Sequence, residues 1–342
     1  MQIMIPILNK LPKVRRISQK KVAVMVVLFF GFVWMATNFE ITIRRSKVPI
    51  TIQTTTITLT TKRKIPQLNP KANIKLLNAE DIERFTGNIL VLTTSGIQNQ
   101  NKRDSIRTTW GNSTKFIEYR KKYNHITYKV YFNTGFRSDT IKAAKLESSN
   151  FKDMLITNRT EGYWDLSRRV MLGFLWSLEY CSYDYLLKGD DDVFTNIPNL
   201  FQIIYTDPFV LEHKDRIYAG LIYPKTLPNR NRRSKWYISK KEYAPDTYPP
   251  FATGLGFILT RLIVERIRPH FDWVNPFRMD DVYVGMLINR ANITGLGIRY
   301  TKDEKQFSGF NSPKQCKYQK NAVVYHKVGS HSCMKSLTDK SI

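Results

Sequence analysis

Three consecutive carboxylates, Asp190, Asp191 and Asp192, follow a hydrophobic run over residues 183–188. Adjacent carboxylates repel one another, and in a partly buried site one would protonate unless a cation compensated its charge. An apolar and aromatic run of this length predicts a buried strand, and open α/β sheets bind ligands at the carboxyl ends of their strands. Oxygen ligands of this kind suit Mg2+ or Mn2+ completed by substrate phosphates. A solvated acidic loop or a structural Ca2+ site is the alternative.

A second acidic pair, Asp280 and Asp281, opens a predicted helix far downstream. Aspartate at a helix start is most often an N-cap. One of two adjacent carboxylates could instead accept a proton from a reacting hydroxyl as a general base.

Two further segments carry residues suited to a site. Residues 248–257 contain Gly254 and Gly256, which could admit a ligand close to the backbone or serve a turn. Residues 323–325 predict a strand that ends at His326. A lone histidine is usually structural, and the alternative is a metal ligand beside the acidic triplet.

The elements that must position these residues alternate along the chain from residue 88. Strands are predicted at residues 88–94, 126–132, 154–157 and before Asp190, with helices between them. One helical face is marked by Leu166, Val170, Phe174, Ser177, Leu178 and Cys181. This order predicts an α/β fold with a mainly parallel sheet and helices on both faces, in a single domain over residues 81–342.

The first 80 residues have a different character. Residues 22–39 are uncharged and mostly apolar, and as a helix they would cover about 27 Å, enough for a thin bilayer. Only basic charges precede them, so the positive-inside rule predicts a cytosolic tail (1–21), a retained signal anchor (22–39) and a lumenal remainder. A cleaved signal peptide or a buried helix is the alternative. The threonine-rich residues 40–80 predict an extended stem, with a β-strand as the alternative.

About half of the net charge of +26 lies before Glu80, where it concerns membrane topology. A basic cluster between Lys225 and Lys241 is either an attractor of anionic substrates or a solvated loop. Nucleic-acid binding is disfavoured by the predicted anchor and by the lack of a recognisable reading motif. Three cysteines permit one disulfide, whose pairing the sequence leaves open.

Five segments, in order, resemble the metazoan β1,3-galactosyltransferase family, which also includes β1,3-N-acetylglucosaminyltransferases. They are KRDSIRTTW (102–110), KGDDDVFTN (188–196), residues 248–257, DDVYVG (280–285), and QCKY (315–318) followed by His326. Three positions depart from the family. Asp280 stands where the family usually has glutamate, and in YWDLS (163–167) Asp165 and Ser167 stand in place of an asparagine and a threonine.

The resemblance implies an inverting transferase with a GT-A fold, a UDP-sugar donor and Mn2+. It implies that Asp190, Asp192 and His326 hold the metal and that Asp281, or failing that Asp280, is the general base. Nucleotide-sugar contacts are implied for Arg103, Arg107, Tyr248 and Gly254, and also for Asp190. The resemblance implies that Asp191 either supports the loop or touches the nucleotide sugar.

The resemblance also implies a type II Golgi membrane protein with a lumenal catalytic domain. The donor is expected to be UDP-galactose, with UDP-N-acetylglucosamine as the alternative, and the acceptor a glycan on protein or lipid. A catalytically silent lumenal protein that binds glycans or nucleotide sugars is the alternative from another functional class.

Overall fold

The computed structural model describes residues 74–79, 81–272, 275–293, 297–300 and 316–342. These residues belong to one compact unit that spans residues 63–342. The predicted cytosolic tail and anchor, and the stem up to residue 73, lie outside the described residues. Within the described ranges, no helix is long and apolar enough to cross a membrane.

The strands form one large sheet and a small ribbon. They are β1 (Ile89–Thr94), β2 (Tyr128–Phe136), β3 (Met154–Thr160), β4 (Tyr185–Asp190), β5 (Phe194–Thr195), β6 (Ile217–Tyr223), β7 (Phe251–Thr260), β8 (Gly297–Tyr300) and β9 (Val324–Tyr325). The large sheet has the order β3-β2-β1-β4-β7-β6-β8. Strands β1 to β4 run parallel, β7 is antiparallel to β4 and β6, and β8 is parallel to β6. The prediction of an α/β fold with a mainly parallel sheet is therefore confirmed.

The helices cover both faces of this sheet. They are α1 (Gln100–Thr108), α2 (Ile117–Lys122), α3 (Ile141–Phe151), α4 (Leu166–Tyr180), α5 (Ile197–Thr206), α6 (Pro208–Glu212), α7 (Arg261–Ile267), α8 (Asp280–Arg290) and α9 (His331–Ser341). In β1, Leu90 and Leu92 join the hydrophobic cluster that contains α4, α7 and α8. Ile89 and Val91 join the opposite cluster, with residues of α1, α5 and α9. This alternation explains why the strands are apolar throughout: both faces are buried.

The segment over residues 248–257 is not the turn that its glycines could have formed. From Phe251 onward it is strand β7, which pairs with β4 through Lys188 and Phe257. Gly256 has a φ of +150°, and a Cβ there would lie 3.2 Å from Val324 Cγ1. Its lack of a side chain therefore lets β7 pass close to β9.

Two features hold the C-terminal residues in place. Strand β9 pairs antiparallel with β5, just beyond the acidic triplet. Cys316 and Cys333 form a disulfide with a Cα–Cα distance of 5.3 Å, which links the segment before β9 to α9. Cys181 is a buried free thiol.

Candidate active site

The acidic triplet lies at a change of strand direction in the sheet. Strand β4 ends at Asp190, which is in register with Thr94 at the end of β1. On its other side β4 pairs with antiparallel β7. The loops after β1 and β4 therefore open at the same edge, where α/β sheets bind ligands.

Asp191 is held by the loop that follows β1. Its Oδ2 accepts hydrogen bonds from Ser95 Oγ at 2.9 Å, Asn99 Nδ2 at 2.8 Å and the Gly96 amide at 3.3 Å. Its Oδ1 forms an ion pair with Lys102 Nζ at 2.8 Å. The structure therefore places Asp191 in support of a loop, one of the two roles the resemblance implies for it.

Arg103 lies beneath the same loop. Its side chain has no solvent exposure, and its Nε and Nη2 grip the Glu147 carboxylate at 2.7 and 2.6 Å. The remaining N–H groups donate to Ser95 Oγ and to the carbonyl oxygens of Gly96 and Ile97. All five donors of the guanidinium are thus used within the protein. In this structure Arg103 positions the loop, and no donor is left for the direct nucleotide contact predicted from the resemblance.

Arg107 is likewise engaged by protein groups. It forms a two-pronged pair with Asp153, both distances near 2.7–2.8 Å, and its Nη1 also binds Glu147 and Asp104 at 2.7 Å. The Phe151 ring lies against the guanidinium, 3.9 Å from Cζ. The structure therefore groups Arg107 with Arg103 in a network that joins α1 to α3.

Lys188 connects the two acidic clusters. This fully buried side chain lies 2.9 Å from Asp190 Oδ1 and 2.6 Å from Asp280 Oδ2. Burial alone would lower the pKa of Lys188, but Asp190 and Asp280 outweigh it and raise that pKa above its ordinary value. The lysine is therefore a charged bridge between the end of β4 and the start of α8.

Asp281 faces the backbone of β7. The helix N-cap is Met279, so both aspartates lie in the first turn of α8 and Asp280 is not the cap. Asp281 Oδ2 accepts from the Gly254 amide at 3.1 Å, and its Oδ1 from the Val282 amide at 2.7 Å. A Cβ on Gly254 would lie 3.7 Å from Asp281 Oδ2 and 3.8 Å from Asp190 Oδ2. The two predicted acidic clusters thus meet across Gly254, and the space between Asp190 and Asp281 forms a cleft.

The electrostatics of this cleft favour protonated carboxyls at acidic pH. Burial, and then repulsion by Asp280, raises the pKa of Asp281 to about 7. Burial raises the pKa of Asp190 to about 6, although Lys188 opposes the shift. Asp190 still has 38% of its side chain exposed, so it faces the cleft and not a sealed core. Carboxyls with pKa values near neutrality are typical of proton-transfer sites.

Asp192 and His326 are brought together by the β5–β9 ribbon. His326 Nε2 lies 3.8 Å from Asp192 Oδ1, and the Val328 amide donates to the Asp192 carbonyl at 2.7 Å. Burial lowers the pKa of His326, which favours the neutral imidazole, although the Asp192 carboxylate opposes this. Among the described residues, no group of three or more histidine, cysteine or acidic side chains is arranged as a preformed metal site.

Tyr248 packs at the edge of the cleft. Its ring centroid lies 5.0 Å from that of Tyr243 and 5.7 Å from that of Phe277. The residue is buried, yet its hydroxyl has no hydrogen-bond partner within the described part of the chain. Unpaired buried hydroxyls next to a cleft are groups that a ligand can satisfy.

Sequence reasoning did not predict the bridging role of Lys188 or the loop residues that hold Asp191. The lysine stands two positions before Asp190, in a strand where an unpaired charge would be costly. A lysine at that position could have predicted the bridge, because a buried lysine needs acidic partners. Ser95 and Asn99 carry no comparable signal.

A scan against protein-family models matches residues 101–297 to Galactosyltransferase. That range covers more than half of the chain and contains the arginine network, the acidic triplet and the start of α8. The chain belongs to the galactosyltransferase family.

Characterised family members similar to this chain differ in the sugar they are named for. The chain is 29% identical over 214 residues to lactosylceramide 1,3-N-acetyl-beta-D-glucosaminyltransferase B of Danio rerio, covering 60% of this chain and 54% of that protein. It is 26% identical over 234 residues to beta-1,3-galactosyltransferase 5 of Mus musculus, covering 68% and 73%. It is 29% identical over 208 residues to UDP-GalNAc:beta-1,3-N-acetylgalactosaminyltransferase 1 of Sus scrofa, covering 60% of each chain. The first of these matches spans about half of the relative's length.

Solved structures are less similar. The chain aligns with S. aureus TarS 1-349 at 11% identity and a TM-score of 0.34, covering 72% of this chain and 60% of that chain. A TM-score this low does not establish a common fold.

Proposed function

We propose that this galactosyltransferase-family chain transfers galactose from UDP-galactose to a hydroxyl of a glycan acceptor, with inversion and a β1,3 linkage. The observation that carries the proposal is the meeting of Asp190 and Asp281 across Gly254, where a Cβ would be 3.8 and 3.7 Å from their oxygens. A phosphate-side carboxylate and a proton acceptor within one small cleft are what direct displacement requires.

The donor sugar has named alternatives. The relatives are named for N-acetylglucosamine, galactose and N-acetylgalactosamine at comparable identity. UDP-N-acetylglucosamine is therefore the second candidate, and UDP-N-acetylgalactosamine joins it as a third.

The donor atoms at the end of β4 fit a divalent metal in type. Asp190 and Asp192 offer carboxylate oxygens, and His326, 3.8 Å from Asp192, offers an imidazole nitrogen whose lowered pKa favours the neutral, ligating form. Carboxylate with imidazole suits Mn2+. These three residues would hold the ion, which when bound supplies Lewis-acid stabilisation of the diphosphate leaving group.

Asp281 would take the proton from the acceptor hydroxyl at its Oδ2. The hydroxyl oxygen then bonds to the anomeric carbon as the bond to the UDP oxygen breaks on the opposite side, which inverts the configuration. A pKa of about 7 suits this role, because a general base is most effective when its pKa is near the working pH. The Gly254 amide, 3.1 Å from Oδ2, fixes the orientation of the carboxylate. Asp280 is bound to Lys188 and is the fallback base.

The proposed setting is a Golgi membrane, with residues 22–39 as the type II anchor and the domain described above in the lumen. Support comes from the sequence alone: the apolar run and the basic residues before it. The proposed partners are a UDP-sugar, a glycan acceptor on protein or lipid, and the membrane. Nucleic acid is not among them.

Transfer by the full-length chain in detergent tests the proposal. Each of the three UDP-sugars is offered with Mn2+ to a panel of β-galactosyl, N-acetylglucosaminyl and xylosyl acceptors. We expect a β1,3-linked product from one donor, and a loss of about 10²–10⁴-fold in kcat for Asp281→Asn with UDP binding retained. Asp339→Asn, an exposed aspartate on α9, is the matched control.

Two outcomes would contradict the proposal. Failure of both transfer and Mn2+-dependent UDP binding would exclude the enzymatic function and favour a catalytically silent lumenal binding protein. Full activity of Asp281→Asn would exclude Asp281 as the base and move the test to Asp280→Asn.

A further inference from the structure

A cavity of about 720 Å³ lies beside the base-bearing helix. Its walls come from the segment before α8, from α8 itself, from the β6–β7 connection and from Arg168 of α4. The volume falls within the range of about 300–1,000 Å³ that small-molecule sites occupy. None of the metal-site candidates Asp190, Asp192 or His326 lines it, so it is distinct from the proposed diphosphate site.

The cavity wall is strongly basic. Arg168, Lys241, Arg278 and Arg290 line it, against a single carboxylate, that of Glu242. Arg168 pairs with Asp165 at 2.7 Å, and Arg278 pairs with Glu242 at 3.2 Å.

The other two cations of the wall are Lys241 and Arg290. Neither forms an ion pair with any residue that the structure describes, and both residues are exposed at the mouth of the cavity. The site therefore keeps positive charge available for a ligand, which attracts anions and repels cations.

The cavity and the edge of the cleft share an aromatic wall. Tyr243 and Phe277 line the cavity and also pack on Tyr248, with centroids 5.0 and 5.7 Å from its ring. Arg278 stands two residues before Asp280, and Tyr283 of the cavity wall lies on the same helix as Asp281. A ligand in the cavity would therefore lie on the side of the cleft that carries the base, where the acceptor must enter.

We propose that this cavity binds the acceptor glycan, and that the acceptor carries an anionic group, a carboxylate or a sulfate, near the sugar that is extended. Guanidinium groups suit both anions because they can donate two parallel hydrogen bonds. Aromatic side chains with a few charged groups are a common lining for specific ligand sites. The proposal rests on the proposed transfer reaction and names the class of its acceptor.

Binding without donor separates this proposal from the reaction. The full-length chain in detergent is titrated with a glucuronic-acid-terminated disaccharide and with the methyl ester of the same disaccharide. We expect the acid to bind about tenfold more tightly than the ester, and the difference to shrink with added salt.

A double substitution locates the effect. The double variant Lys241→Gln, Arg290→Gln should bind the acid about tenfold more weakly than the unsubstituted chain and bind the ester with unchanged affinity. Lys142→Gln with Lys145→Gln is the matched control, because these α3 lysines are exposed and have no ion pair among the described residues. The control should bind like the unsubstituted chain.

Equal affinity for acid and ester, no binding of the acid, or an unchanged acid affinity in the double variant would each overturn the proposal. The transfer assay is scored separately. Transfer to neutral acceptors without acid preference would leave the reaction standing and the cavity proposal refuted. Acid binding that depends on Lys241 and Arg290, with neither transfer from any donor nor Mn2+-dependent UDP binding, would leave the cavity proposal standing and the reaction refuted.

Discussion

Two neighbouring aspartates of one triplet have opposite surroundings. Asp191 receives three donors from the loop after β1 and a fourth from Lys102 of α1, and the arginine beneath that loop has every N–H engaged. Asp190 shares one lysine with Asp280, has 38% of its side chain exposed, and lies across Gly254 from Asp281, whose pKa is raised to about 7. The first region satisfies its charges internally, and the second leaves them available.

This difference indicates that some residues of the family motifs maintain the structure and that others take part in the reaction. Buried charges that are fully paired maintain a geometry, whereas carboxyls whose pKa values are shifted toward neutrality can exchange protons during a reaction. Substitutions in the Asp191 region should therefore reduce stability, and substitutions around Asp190 and Asp281 should reduce activity.

The largest expected effect on stability is from Arg103→Met. It removes the buried partner of Glu147 and should lower the free energy of unfolding by about 3–5 kcal/mol. Thermal unfolding of the full-length chain in detergent measures the loss, with Arg137→Met as the control, because its pair with Asp139 is on the surface. A stable Arg103→Met with impaired UDP binding would contradict the scaffold assignment and restore Arg103 as a nucleotide contact.

Two glycines of β7 sharpen the contrast. Gly256→Ala should lower the free energy of unfolding by about 1–3 kcal/mol, because its φ of +150° is restricted to glycine. Gly254→Ala should leave stability nearly unchanged, since its Cβ would meet the two acids at 3.7 and 3.8 Å, an ordinary contact distance. It should still slow transfer, because the methyl group enters the cleft. Equal stability losses in the two variants would remove the contrast.

The cleft acids should lower stability at neutral pH and above. Folding raises the pKa of Asp281 from 3.8 to about 7, so its favourable contribution is present below about pH 4 and is lost as the pH rises through 7. Asp281→Asn should therefore unfold at a higher temperature than the unsubstituted chain at about pH 8, and the difference in unfolding temperature should close at about pH 4. A variant less stable at about pH 8 would mean that the carboxylate is favourably paired.

Tyr248→Phe should have the smallest effect on stability. Its hydroxyl has no partner in the described ranges, so its removal should change the free energy of unfolding by less than about 0.5 kcal/mol. If the hydroxyl meets the donor sugar, the donor KM should rise several-fold, corresponding to one hydrogen bond of about 0.5–1.5 kcal/mol. An unchanged donor KM would exclude that contact.

The parallel half of the fold could be predicted because its strands are apolar runs separated by polar, helical stretches. Strand β7 could not, since Gly254 and Gly256 weaken the strand pattern and its partners lie far away in sequence. The grouping of Asp190, Asp192 and His326 came from the resemblance, because no local pattern joins β5 to β9.

The burial of Arg103 could not be predicted from the sequence for a related reason. Its main acceptor, Glu147, lies 44 residues further along the chain. Its other acceptors are backbone carbonyls of the loop above it and a serine hydroxyl, which have no sequence signature. A motif arginine that binds a ligand and one that supports a loop are identical in sequence.

The β5–β9 ribbon also fixes the order in which the site can be assembled during synthesis. Asp190, Asp191 and Asp192 emerge from the ribosome long before Val324, Tyr325 and His326, whose strand pairs back onto β5. Until then Asp192 has no imidazole neighbour and Phe194 lacks the Tyr325 ring, 5.4 Å away in the finished fold. A chain interrupted before residue 324 would carry the acidic triplet and the base helix without the histidine. The three proposed metal ligands could thus come together only after synthesis has passed that point.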